Sequence, residues 1–419
     1  MIRSTRILAV VLTACTLSAI AKEGEGVASK EPGWPQWRGP RRDGVSDEKG
    51  LLATWPEGGP KLLWKANGLG TGHSSPIISN GSIYITGDEG ENLYVFALDL
   101  EGKVKWKTQN GAGWKRNFDG SRGSCSLSDG LLYHMNANGR LACLNSKDGA
   151  EVWSVPILEK YAVQNILWGI SESPLVADGK VFVTPAGQEA LMVALDAKTG
   201  QQLWKTDTLE GEKPSYASAI LVDTDKGRQV IACGSAHTFG VDAATGKLLW
   251  KHKHEIDCSV ALTPSYYKNN VIVSLCIRTN ACYYALSPSK ENSQMEVKWK
   301  HLMGNPFGGV TCAAGKVIYS SQRNGIGWFC LDALTGAIQS KQEKTDSGSS
   351  IYADGKFYGL YASGKMALIE AGTNEFRVVS EFELIKGKKD VWAHPVICDG
   401  RLYLRYGDTL YCYDVKKPL

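Results

Sequence analysis

The chain has 419 residues, 43% of them hydrophobic, with 46 glycines, 11 cysteines and a formal net charge of +4. So small and dispersed a charge argues against a nucleic-acid partner, which needs a concentrated basic face. No run of 18 apolar residues follows the N-terminus, so no membrane-spanning helix is expected, and abundant glycine between short apolar runs points to a turn-rich all-β body.

In chain order, an export signal comes first. Arg3 and Arg6 precede an apolar stretch from Ile7, and Ala19-Ile20-Ala21 is a small-residue cleavage site, giving a signal peptide over residues 1–21. Leu12-Thr13-Ala14-Cys15 offers a second route, since it resembles the lipobox of bacterial lipoproteins, in which Cys15 carries a lipid anchor. Either route puts the mature protein outside the cytoplasm, in the periplasm or attached to the cell envelope. Residues 22–59, with Trp34, Trp37, Arg38, Arg41 and Arg42, are expected to form an arm packing over the side of the body that follows.

That body, residues 60–419, is a repeat. An apolar residue, an acid or amide, a Gly-containing turn and then a Trp recur from Leu98-Asp99 to Trp106, Leu144-Asn145 to Trp153, Leu195-Asp196 to Trp204 and Val241-Asp242 to Trp250. A degenerate copy runs from Leu331-Asp332 to Ser340 and has lost its Trp. Asp or Asn starts a tight turn by accepting backbone N–H groups two residues on, and Gly supplies the positive-φ position. Two short strands and an opening pair such as Ser75-Pro76 or Ser173-Pro174 precede each turn. Four short strands per unit is the grammar of a propeller blade, and the Trp on the outermost strand presents a flat surface to the neighbouring blade.

Blade openings fall near Ser75, Ser124, Ser173, Ser218, Thr263, Thr311, Ser349 and His394, which gives eight blades of about 45 residues each. The last blade, from His394, lacks its Trp strand, whereas Lys61–Lys65, carrying Trp64, is a Trp strand without a blade. An eight-bladed β-propeller closed by this N-terminal strand is therefore expected, and closure removes exposed sheet edges.

Cys143, Cys330 and Cys412 stand two residues before the acid or amide, where other blades carry Ala97, Ala194 and Ala285. They read as buried small residues rather than disulfide partners. Cys276 and Cys282, flanking a hairpin, form the one candidate disulfide. No CxxC or His/Cys cluster suggests a metal site, and no nucleophile elbow, P-loop or dinucleotide fingerprint suggests catalytic residues.

The repeats resemble those of pyrroloquinoline quinone (PQQ) propellers, whose pattern is Ser-Pro, an apolar strand, Ala-x-Asp, Thr-Gly and Trp, and the resemblance covers nearly all of residues 34–415. Three groups share it: quinoprotein alcohol dehydrogenases, the propeller lipoprotein of the outer-membrane β-barrel assembly machinery, and a large group of exported bacterial proteins. The third group is the most similar, through phrases such as Trp34-Pro-Gln-Trp-Arg-Gly-Pro40, Trp168-Gly-Ile-Ser-Glu-Ser-Pro174 and Trp392-Ala-His-Pro395. The dehydrogenases add a vicinal Cys-Cys pair and roofing insertions. No two cysteines are adjacent here, and the blades consume the chain.

Residues just before each opening surround one channel mouth: His73, Arg122, Trp168 with Glu172, Tyr216, Phe307, Asp346, and Trp392 with His394. His73, Arg122, Trp168, Glu172, Trp392 and His394 are the candidate ligand-binding residues, suited to a protein segment or a small planar anion. Arg116–Arg122 is a candidate binding loop. The expectation is an exported, non-catalytic binding scaffold without cofactor. PQQ with calcium belongs to the alternative, an alcohol-oxidising enzyme, and carbohydrate binding is a weaker alternative.

Overall fold

A computed structural model of the protein describes residues 26–255, 260–275, 281–289, 294–304, 308–322, 326–385 and 391–418. The signal peptide, Cys15, Cys276 and Phe307 lie outside the described residues. The chain forms eight four-stranded antiparallel sheets arranged as an eight-bladed propeller, with a four-residue helix at Ile157–Lys160. The eighth sheet joins Val396–Cys398, Arg401–Tyr406 and Thr409–Asp414 to the N-terminal strand Lys61–Ala66. Trp64 stands opposite Cys412, so the ring closes as the repeat count requires.

The register explains the small-residue slot. On the third strand, Ala97, Cys143, Ala194, Gly240 and Ala285 lie opposite Trp106, Trp153, Trp204, Trp250 and Trp299 on the fourth, as Cys412 lies opposite Trp64. A bulge follows each of the five. Cys330 holds the same place opposite Ser340. An indole leaves room beside it for little more than a methyl or a thiol. At Gly240 even a Cβ would come within 2.2 Å of Trp250 Nε1. Cys143, Cys330 and Cys412 are buried thiols, and burial raises the pKa of each.

The turn serves the neighbouring blade. Asp196 Oδ1 accepts the N–H groups of Lys198 and Thr199 at 3.0 and 2.9 Å and the Thr199 hydroxyl at 2.9 Å, and Asp242 and Asp332 repeat the arrangement. Gly102, Gly149, Gly200, Gly246 and Gly336 then lie at positive φ against the indoles of Trp64, Trp106, Trp153, Trp204 and Trp299. The indole N–H groups of Trp64, Trp106, Trp153 and Trp299 donate to the next blade's carbonyls at Leu100, Ser146, Ala197 and Ala333. Each turn is thus the lid of the preceding blade's Trp.

The arm departs from expectation. Instead of lying over the side, residues 26–52 cross one end of the channel and bond to all eight blades. Val27 N donates to Leu221 O, Trp34 exchanges two bonds with Ile78, and Leu127 N donates to Pro35 O. Arg42 donates to Ser173 O and Pro174 O at 2.7 and 3.0 Å, Trp37 Nε1 to Thr263 Oγ1 at 2.8 Å, and Arg38 to Val310 O at 2.6 Å. Gly44 and Ser46 pair with Tyr352, and Glu48 accepts Gly400 N at 2.7 Å. Arg38 and Arg42 are fully buried. Backbone carbonyls lining a channel want donors, and two guanidinium forks supply several at once.

Candidate functional site

The innermost strands are tied to one another by hydroxyls, which accounts for the Ser at blade openings. His394 N donates to Ser75 Oγ at 2.8 Å, Ser124 N to Ser173 Oγ and Ser173 N to Ser218 Oγ, both at 2.9 Å. Ser124 Oγ returns a bond to Ser75 O. On top of this girdle, at the mouth opposite the arm's path, lies a cavity of about 380 Å³.

Trp37 and Arg38, from the arm, close the cavity from below beside His394; the Trp37 and His394 rings are 4.5 Å apart. One wall is Trp392, with His73 at 4.6 Å and Phe118 at 5.2 Å between ring centroids. A second wall is Trp168 against Tyr216, 5.4 Å apart. Gly309 leaves space for the floor, because a Cβ there would meet Arg38 Nη1 at 2.0 Å and His394 Cε1 at 2.8 Å.

Of the six expected ligand residues, five line this cavity: His73, Arg122, Trp168, Trp392 and His394. Glu172 does not. It is turned into the blade, where its carboxylate accepts Thr184 N and Thr184 Oγ1, each at 3.0 Å. Burial raises its pKa to about 7, against the opposing pull of those bonds and of Arg42. Asp346 is also engaged away from the mouth, accepting Ser347 N and Ser363 N. Arg122 staples the Arg116–Arg122 loop by donating to the carbonyls of Asn117, Phe118 and Gly120, and its guanidinium lies over Trp114. The loop reaches the cavity through Phe118 and Arg122.

Electrostatically the mouth is cationic. Arg38 and Arg122 line it, burial lowers each pKa to about 10, and both remain charged at neutral pH. Neither makes an ion pair with a described residue. Burial, then the charges of Arg405 and Arg122, hold His73 neutral with a pKa of about 3. The described lining contains no carboxylate. Calcium takes six to eight oxygen ligands, usually with carboxylates among them, so these residues do not fit the calcium half of a calcium–quinone pair.

Trp37, Arg38 and Gly309 were not legible as site residues. Trp37 and Arg38 precede the repeat, so blade counting assigns them no position around the axis.

A family model described as outer membrane protein assembly factor BamB, built on PQQ-type repeats, matches residues 44–160 and 95–342, more than half of the chain. The chain belongs to this BamB family. BamB of Burkholderia pseudomallei is 27% identical over 206 residues, covering 48% of this chain and 50% of that protein. A quinohemoprotein alcohol dehydrogenase of Pseudomonas putida is 30% identical over 155 residues, covering 34% of this chain and 21% of the dehydrogenase. The chain thus spans half or less of the length of these relatives. Among solved structures, BamB from Moraxella catarrhalis superposes with a TM-score of 0.61 at 13% identity, covering 86% of this chain and 98% of that one. The quinohemoprotein alcohol dehydrogenase of Comamonas testosteroni gives 0.68 at 15% identity, covering 94% and 82%. At such identities both likenesses speak for the propeller fold, which BamB-family proteins and dehydrogenases share, and not for a shared activity.

Proposed function

We propose that this BamB-family protein is an exported, non-catalytic propeller acting as a binding scaffold in the cell envelope, with a partner protein engaged at the open channel mouth. Membership of a family described by an assembly factor is the observation that carries the reading. The N-terminal signal supports export. The mouth supports the location: Phe118, in the cavity wall, is 53% exposed, and Leu167, next in the chain to the wall residue Trp168, is 66% exposed.

Deleting the gene in its host and quantifying outer-membrane proteins in isolated envelopes tests this. The expected result is a fall in several outer-membrane proteins, restored by the wild-type gene but not by one encoding Leu167→Glu together with Phe118→Glu. Unchanged envelopes would overturn the scaffold reading.

The alternative, PQQ-dependent alcohol oxidation, draws on the dehydrogenase relatives and the aromatic cavity. Against it stands the donor set, in which Glu172 and Asp346 are committed elsewhere in blades three and seven. Purified protein given PQQ and Ca²⁺ should show no dye-coupled alcohol oxidation, and turnover would promote the alternative.

A further inference from the structure

We propose that the cavity at the channel mouth binds a small aromatic carboxylate, its ring held between the Trp392 and Trp168 walls and its charge met by Arg38 and Arg122. This does not depend on the scaffold role, because a guest small enough for the cavity is held by Trp168, Trp392, Arg38 and Arg122 whether or not a partner protein docks over the mouth.

Size comes first. A space of about 380 Å³, closed from below by the arm, holds a molecule of one or two rings. It does not admit a through-running polypeptide. The walls set the shape. Trp392 with His73 and Trp168 with Tyr216 present aromatic faces, and such faces favour a planar guest by offset or edge contacts.

Charge sets the sign. Two guanidinium groups reach this cavity, and no described lining residue supplies a balancing carboxylate. Arg38 is fully buried, and its Nε has no hydrogen-bond partner. Its remaining donors go to the neutral carbonyls of Asp43 and Val310 and to the His394 ring. The nearest carboxylate, Asp43, raises the Arg38 pKa only in part and is itself paired with Arg41, so an incoming anion still stabilises this buried cation more than it would an exposed one. A carboxylate matches the guanidinium fork in geometry, and a single carboxylate leaves the rest of the guest apolar enough for the walls.

Quenching of tryptophan fluorescence on titration with 2-naphthoate, confirmed by calorimetry, tests the assignment. One saturable site per chain is expected. Removing the charge (2-naphthamide) or the aromaticity (cyclohexanecarboxylate) should each weaken binding about tenfold or more. Trp392→Leu and Arg122→Gln should do the same while leaving circular dichroism and melting temperature close to wild type. Should Arg122→Gln unsettle its loop, Trp168→Leu reads the second wall independently. Absence of saturation by millimolar naphthoate, equal affinity for all three probes, or binding indifferent to both wall variants would overturn the proposal. So would PQQ binding that is tighter than naphthoate and depends on calcium.

Discussion

Gly200 shows how one position can answer to two blades. Its φ of +69° belongs to its own turn, but the space beside it is filled by Trp153 of the preceding blade, 2.8 Å from where a Cβ would stand. Gly211 has nearly the same φ, +72°, with nothing within 4 Å. Gly211→Ala should therefore cost about 1 kcal/mol, the backbone penalty alone. Gly200→Ala should cost about 2–4 kcal/mol, adding displacement of the indole. Urea denaturation of both variants checks this, and equal losses would show that the Trp gives way freely. The sequence revealed that a turn needs glycine there. It could not reveal the indole, which comes from a strand some 50 residues earlier. Glu172 was misjudged for a related reason: its place at an opening says that it is near the axis, not which way it points. Inside the blade its pKa is about 7, raised from 4.5 chiefly by burial. Between those values the native state holds a proton that the unfolded chain has lost, so this group's contribution to stability declines as pH rises through the window. Glu172→Gln cannot ionise. Its melting temperature relative to wild type should rise from pH 5 to pH 8, and a constant difference would mean that Glu172 titrates normally.

At the scale of elements, the strand Lys61–Ala66 was readable because two deficits matched: a blade lacking its Trp strand and a Trp strand lacking its blade. What the match implies energetically follows from the register. Trp64 packs on Tyr403 at 6.1 Å between centroids, covers Gly102 and donates to Leu100 O, so one side chain joins the last blade to the first. Trp64→Ala loses that bond and much of the packing, at about 2–4 kcal/mol. Because the seam closes a ring, the loss should lower a single cooperative transition. Calorimetry that shows the eighth blade melting separately, or no change in melting temperature, would count against the seam's role. Ser340 marks where the repeat decays, yet its strand persists opposite Cys330, since pairing and the apolar alternation suffice without the Trp. The motif tunes contacts between blades; the blades themselves stand on register.

For the whole molecule, the arm is the feature that the repeat could not announce. Periodicity locates residues around an axis, and a segment outside the period has no coordinate in that frame. Its charges were equally mute, since Arg41 and Arg42 look alike in the sequence and have opposite circumstances in the fold. Arg41, itself only 11% exposed, forms ion pairs with Asp43, 18% exposed, and with Asp47, 75% exposed, and only at the Asp47 end do water and salt weaken the attraction. Arg42 makes no ion pair with a described residue, but its guanidinium donates to Ser173 O, Pro174 O and Gln36 Oε1 inside the closed channel. Removing it leaves Ser173 O and Gln36 Oε1 to find other donors where water has little access. Pro174 O keeps the Ser126 hydroxyl. Burial lowers the Arg42 pKa to about 9, so the charge itself is a cost that the hydrogen bonds offset. Arg42→Met, which preserves most of the volume, should therefore destabilise by about 2–3 kcal/mol. Asp47→Asn, at the exposed end of the Arg41 pairs, should stay within about 1 kcal/mol. The loss at Arg42 should persist in 1 M salt, because hydrogen bonds in a closed channel are not screened, whereas any loss at Asp47 should shrink. Guanidine-free denaturation by urea at low and high salt distinguishes the two. Should Asp47 prove the costlier residue, the arm would be held at its exposed edge by charge, and its path through the channel would not be what secures the ring.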